Sequence, residues 1–404
     1  MGPQSALPLG AGSALRLVVA LGGLRFSRSS VLCADDAAAF PQAMHAFYYL
    51  WYGDPETDGG WRHWDHDVLP HWDARVRKHF SHLDGAKHDP PHWLHSPFYP
   101  QLGPYSSTAE NTLDAHFAQM AQAGIDAAVL SWTGRPGGAV SDTQGVSTDA
   151  AFPATLAAAK RHGVKVAVHL EPYPGRSPET VRGDVEYLAE TYGDALLKLR
   201  RPGRCAEPPV PAVYVYDAYH SPSAEWAALL CDGAASVRGR SGDFFAVATV
   251  LEQRELQNII VDGCFDGLYT YFATDGFTFG SSSGNWPFLA KWAGKHGKLF
   301  SPSVGPGYND TRIRPWNAGA TRHRRGGAYY DGMMDKALAS RPDVVSITSF
   351  NEWGEGTQIE PARVPPGSNA RTKTHLDYGA DPNLYLRATR DAKKRWAAQT
   401  DQEL

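Results

Sequence analysis

The chain of 404 residues is poor in several things that would have settled its class at once. Four cysteines, Cys33, Cys205, Cys231 and Cys264, form no CxxC pair. With no His-rich or HExxH spacing beside them, a structural or catalytic metal site is not indicated. No GxGxxG follows the first apolar run, which removes the main dinucleotide-binding, open-sheet alternative. The net charge is −4 and no long basic run occurs. Nucleic acid and anionic membrane surfaces are therefore excluded as principal partners. No apolar run reaches the ~20 residues needed to span a bilayer. The nearest, 14–24, is interrupted by Arg16 and followed by Arg25 and Arg28. It resembles a signal-peptide core without a basic stretch before it. Residues 1–42 are read as a leader, either targeting or disordered, and 43–400 as a single domain. Membrane association is expected only if that leader is an anchor.

Aromatic and imidazole rings are what the sequence has in excess: 12 Trp, 18 Tyr and 16 His. Many stand beside Gly and Pro in predicted loops, where rings meet ligands more than they fill cores. The C–H face of a pyranose packs well on such rings while its hydroxyls need polar partners. Of the cysteines, Cys264 precedes a predicted strand and reads as a small buried hydrophobe, and Cys205–Cys231 is a candidate disulfide.

Eight short runs rich in β-branched and aromatic residues predict strands. They lie at 46–52, 126–132, 164–171, 212–217, 244–249, 266–272, 299–305 and 344–350. Helical periodicity fills most gaps, at 112–123, 153–162, 178–192, 223–230, 286–296 and 329–340, with a final helix at 382–400 after a Pro/Gly-rich linker at 361–369. Alternating β and α with near-continuous apolar strands means a parallel sheet covered by helices. Eight such strands predict a (β/α)8 TIM-type barrel. Its first βα connection, 53–111, is long and rich in Trp, His, Pro and Gly, and must cover the C-terminal face, where barrel enzymes keep their active sites.

Acids, hydroxyls and rings cluster at the predicted strand ends: Tyr48, Trp51, Trp132, Glu171, Tyr173, Tyr271, Asn351 and Trp353 are the expected substrate-binding residues. At least three of Tyr48, Trp51, Trp132, Tyr271 and Trp353 are expected to line one cleft. The stretch SFNEWGEGTQIEP, 349–361, places Glu352 and Glu355 just past the eighth strand. Glycoside cleavage needs such a pair, an acid to protonate the leaving oxygen and a carboxylate on the sugar side. Surface ion-pairing is the alternative use of such an ExxE, and the flanking Asn351 and Trp353 favour catalysis. No cofactor is called for.

These stretches are similar to glycoside hydrolase family 99, the endo-α-1,2-mannosidases and mannanases. The matching motifs, in order, are AFYYLWYG, FYPQLGPYSS, EPYPGR, YVYD, FDGLYTYFA, SPSVGPGYNDTRIRPWN and VVSITSFNEWGEGTQIEP. The resemblance implies a retaining, endo-acting α-mannosidase acting on glucosylated high-mannose N-glycans in the Golgi or secretory pathway. It implies that Glu355 is the general acid/base and that Glu352 deprotonates the sugar's own 2-hydroxyl, which attacks C1 to give a 1,2-anhydro sugar. A mannan-degrading endo-α-1,2-mannanase and a catalytically impaired glycan-binding relative are the alternatives. Two positions depart from the pattern. Gly354 stands where a His is common, and Thr133 where an aromatic residue usually follows SW; both bear on the choice of cap sugar. The Asn309-Asp310-Thr311 sequon falls inside a motif at the barrel mouth and is expected to be unglycosylated.

Overall fold

The computed structural model describes residues 40, 42–137, 142, 144–204, 206–364 and 375–403. Each of the eight apolar runs forms a parallel strand. These are β1 (Ala43–Tyr48), β2 (Ala127–Trp132), β3 (Lys165–Leu170), β4 (Val210–Val215), β5 (Phe245–Thr249), β6 (Gly267–Tyr269), β7 (Leu299–Ser301, resumed at Ser303–Val304) and β8 (Val344–Ile347). Neighbours in sequence are neighbours in the sheet from β1 to β7, and β8 pairs with β1.

Closure depends on β7, which changes partner at Pro302. Its first half pairs with β6, Leu299 opposite Gly267, and its second half pairs with β8, Ser303 opposite Ser346. Proline cannot donate to a ladder and so suits the switch point. Hydroxyls fill the seam: Ser301 Oγ and Ser303 Oγ lie 3.0 and 2.8 Å from Ser346 Oγ. The result is a closed TIM-type barrel. A two-residue strand, Lys198–Leu199, pairs antiparallel with β4 and stands outside the ring.

Strand residues alternate between two cores, as the period of 2 requires. Met44, Ala46 and Tyr48 face the helices. Phe47 faces the barrel axis, where its ring meets those of His169, Tyr214 and Tyr269. The interior is unusually polar but satisfied: His45 Nδ1 lies 2.8 Å from the Tyr214 hydroxyl, and His169 Nε2 2.8 Å from that of Tyr269. Burial pushes His45 down to about 4.

The outer helices fall at Glu110–Ala123, Phe152–His162, Pro178–Tyr192, Ser223–Leu230, Trp286–Lys295, Ala328–Ala339 and Leu384–Glu403. Gly163 at φ 73 ends the second of these just before β3, a left-handed position that glycine adopts without strain. Between β5 and β6 the chain makes only a π-helical segment, Leu256–Val261. Among the described residues no helix is long and apolar enough to cross a membrane.

The cysteines differ from the sequence reading. Cys264 is not an isolated hydrophobe but is disulfide-bonded to Cys231, which overturns the expected Cys205–Cys231 pair. Cys231 caps the helix Ser223–Leu230, and that helix packs on the segment Leu256–Val261 that leads to Cys264. Spatial neighbourhood, which spacing does not encode, selects this pair. Cys33 and Cys205 lie outside the described residues, as do most of the leader and residues 365–374 of the linker region.

Candidate active site

The loop after β8 is held in place before any carboxylate is considered. Asn351 clamps it to the end of β1, accepting from Tyr49 N at 2.7 Å and donating Nδ2 to Tyr49 O at 2.9 Å. Glu352 N donates to Ser349 Oγ at 2.7 Å, and Trp353 N to the Tyr52 hydroxyl at 3.1 Å. The Trp353 indole turns away from the mouth and donates to Glu360 at 2.9 Å and to the Tyr105 hydroxyl at 3.1 Å. From below, Arg324 donates to the carbonyls of Gly356 and Gln358, both at 2.8 Å. Its guanidinium stands 4.3, 4.9 and 4.7 Å from the rings of Phe98, Tyr378 and Tyr385.

So braced, the loop presents Glu352 and Glu355 to one cleft of about 720 Å³, whose walls include Glu171, Trp51, Tyr271 and Arg314. The Glu352 side chain is 7 % exposed and accepts from the Tyr52 hydroxyl at 3.3 Å. Burial and the nearby Glu355 push its carboxyl well above the usual range. Glu355 is also raised, by burial and by Asp310 and Glu171, with Arg314 opposing. Arg314 Nη1 lies 3.6 Å from its carboxylate. Two carboxyls that both resist ionisation are a proton-holding pair.

Glu171 forms the third acidic wall. Ser131 Oγ donates to it at 2.9 Å, and His169 Nδ1 lies 2.8 Å away, so a line of contacts runs from the cleft to Tyr269 in the barrel interior. Tyr271 occupies the left-handed region at φ 53, uncommon for a bulky residue. It is over-determined there: its N donates to Ser303 Oγ at 2.7 Å, Thr348 donates to its carbonyl, and its hydroxyl is hydrogen-bonded to that of Tyr49. The first connection forms the roof, contributing Trp61, Arg62, His63, His66 and His95. The Trp51 ring stacks on His63 at 4.6 Å. Among the described residues no group of three or more His, Cys, Asp or Glu side chains is placed to hold a metal ion.

Of the residues expected from sequence, Glu352, Glu355, Trp51, Glu171 and Tyr271 come together in this cleft. Tyr48, Trp132, Tyr173, Asn351 and Trp353 do not line it. Tyr48 is fully buried against the helices, its hydroxyl 2.8 Å from His116 Nδ1. Trp132 is fully buried with its Nε1 on Asp149 at 2.9 Å. The Tyr173 hydroxyl engages Thr180 and Asp184. Only two of the five expected rings, Trp51 and Tyr271, face the cleft: Tyr48 and Trp132 are even-numbered residues of β1 and β2, which point outward, and Trp353 is turned away by its bonds to Glu360 and Tyr105. Tyr49 and Tyr216 take the places expected of Tyr48 and its kind, and the strand alternation was the signal for them. Arg314 stands inside the matched stretch SPSVGPGYNDTRIRPWN but is not singled out there, and His95 arrives from the first connection with no local signal.

Gly354 lies at a crowded point. A Cβ there would come within 2.7 Å of Ile313 Cδ1, 3.0 Å of Glu352 Oε1 and 3.0 Å of His95 Cδ2. At the sequon, Asn309 Oδ1 accepts from the Thr311 hydroxyl at 2.7 Å, and Asn309 N donates to Glu355 O at 2.8 Å.

The profile of Glycosyl hydrolase family 99 matches residues 39–398. A Danio rerio glycoprotein endo-alpha-1,2-mannosidase-like protein is 44% identical over 362 residues, 89% of this chain and 78% of that protein. A glycoprotein endo-alpha-1,2-mannosidase of Rattus norvegicus is 42% identical over 384 residues, 93% of this chain and 81% of that one. The solved GH99 endo-alpha-mannosidase of Bacteroides thetaiotaomicron superposes with a TM-score of 0.77 at 37% identity, covering 89% of this chain and 98% of its own.

Proposed function

This chain belongs to glycosyl hydrolase family 99 and is a glycoside hydrolase, and from that premise we propose that it is a retaining, endo-acting α-mannosidase. Its substrate is an internal α-1,2-mannosidic bond of glucosylated high-mannose N-glycans. The observation that carries the reading is Glu352 and Glu355 on one cleft wall, in a chain 42% identical to a protein named for this activity. Glu355 protonates the departing oxygen. Glu352 takes the proton of the 2-hydroxyl, whose oxygen attacks C1 and forms the 1,2-anhydro sugar. Water then opens that ring, Glu355 taking the water's proton while Glu352 returns its proton to the departing 2-oxygen, and the configuration at C1 is retained. The raised affinity of Glu355 for its proton supports its part as acid.

A second reading exchanges the two roles. It is favoured by Glu352 being the more buried of the pair. One set of assays separates the readings. Under the first, Glu355→Gln loses roughly 10²–10⁴ in rate on natural glycans and recovers much of it on an aryl or fluoride leaving group. Glu352→Gln is not rescued, and a 2-deoxy substrate is inert. Rescue of Glu352→Gln instead of Glu355→Gln would exchange the roles, and normal cleavage of the 2-deoxy substrate would end the relay. Mass measurement of the saccharides released from glucosylated and unglucosylated glycans fixes the cap preference that Gly354 and Thr133 influence. The Cys231–Cys264 disulfide supports residence in an oxidising compartment, in keeping with the Golgi or secretory pathway.

A further inference from the structure

Trp72 is 82 % exposed, and among the described residues no large hydrophobic side chain is more so. It is not loose. His71 stacks on one face of the indole at 4.1 Å, and Trp316 meets it edge-on at 5.1 Å. The backbone on either side is fixed as well. Asp73 N donates to His71 Nδ1 at 2.8 Å, and Asp73 Oδ1 caps the helix Ala74–Phe80 by accepting from Arg75 N at 2.8 Å. The second face of the indole is therefore held open to solvent, although nothing in the fold requires it there. Contiguous exposed apolar surface rimmed by polar groups marks a binding surface, and here the Trp72 ring adjoins that of Trp316 rather than standing alone.

The platform is continuous with the cleft. Leu69 lines the cleft, accepts from Trp316 Nε1 at 3.2 Å, and donates its N to Ile313 O at 2.8 Å. Ile313 and Arg314 line it too, and Arg314 pairs with Glu355. One short segment thus carries both the partner of a catalytic carboxylate and the ring that supports Trp72. Asp67 and Lys87, an ion pair at 3.7 Å with both side chains largely exposed, stand on the same rim. They supply the charged and hydrogen-bonding groups that sugar hydroxyls need beside a ring face.

We propose that Trp72, backed by His71 and Trp316, is an outer sugar-binding platform on which glycan residues beyond the cleft stack. A cleft of about 720 Å³ encloses a ligand of drug size, so a branched glycan must emerge from it, and the platform meets what emerges. The proposal rests on the glycan-cleaving reading above and extends it to the remote part of the substrate.

Two substrates test it: a complete free glucosylated high-mannose glycan, and a minimal disaccharide carrying a fluoride leaving group. Trp72→Ala should raise KM for the complete glycan roughly three- to tenfold, the size of one aromatic contact. It should leave kcat, and all kinetics on the minimal substrate, unchanged. Trp72→Phe should restore part of the loss. Calorimetric binding of the complete glycan to Glu355→Gln should weaken by the same factor when Trp72→Ala is added. Unchanged KM and affinity in Trp72→Ala would overturn the platform, as would an equal loss on the minimal substrate. A loss seen only when the glycan is attached to protein would assign the surface to the carrier polypeptide instead. If the parent binds the complete glycan without cleaving it, the hydrolase reading fails while binding still judges the platform. A parent that neither binds nor cleaves overturns both.

Discussion

At Gly354 the absence of a side chain decides what fits between the Glu352 carboxyl and the roof. A methyl there presses on Glu352 Oε1, His95 and Ile313 at once. The nearest atom, Ile313 Cδ1, ends a flexible side chain, whereas His95 and Glu352 are both buried and have little room to move. Gly354→Ala should lower kcat/KM by at least about tenfold and cost about 1–3 kcal/mol, as overpacking does, read from kinetics and thermal melts. Glu352 makes a second residue-scale prediction, for stability against pH. The folded chain holds this carboxyl's proton to higher pH than the unfolded chain does. Between the ordinary carboxylate value and the raised one the native state binds more protons, so stability falls as pH rises. Glu352→Gln, neutral throughout, should therefore melt about 1–3 °C above the parent at pH 7, with the gap closing near pH 4. A constant gap, or a lower melting temperature at pH 7, would contradict the burial argument. Residue type at the predicted strand ends pointed to Glu352, Glu355, Trp51, Glu171 and Tyr271. Orientation was less legible, since Tyr48 and Tyr49 are chemically identical neighbours and only the parity of β1 separates outward from inward.

Among the elements, the loop after β8 is held by one cation as well as by the end of β1. Arg324 reaches two of its carbonyls while three rings surround the guanidinium. Lysine has no planar fork to bridge both carbonyls and stacks less well. Arg324→Lys should accordingly lower kcat several-fold with little change in KM, and Arg324→Ala should add a stability loss of about 2–4 kcal/mol in denaturant melts. A change confined to KM would mean that Arg324 acts on substrate rather than on the loop. The strands themselves were readable because parallel barrel strands are buried on both faces and so are nearly continuous apolar runs. The partner switch within β7 was not, since Pro302 in SPSVG reads equally well as a strand end. Nor was the roof's share of the site readable in detail. The composition of 53–111 announced a cover, but which of its histidines meet the acids depends on a path that no periodicity describes.

For the whole molecule, the disulfide closes a span of 33 residues between Cys231 and Cys264. A loop of that length is worth about 3–4 kcal/mol in chain entropy. Replacing both cysteines by Ala should lower the denaturant midpoint accordingly while leaving kcat nearly intact, because the bridge is remote from the cleft residues. The cysteine pairing was beyond the sequence because it reflects which helices of the outer ring are adjacent, a property of the closed barrel. The clamp between Asn351 and Tyr49 has a consequence in time as well. It joins residues 302 positions apart, so at ribosomal speeds roughly 15–60 s elapse between synthesis of its two halves. Throughout that interval β1 is already made, yet neither Glu352 nor Glu355 exists. Both of these carboxyls therefore join the chain only after every strand of the barrel has been synthesised.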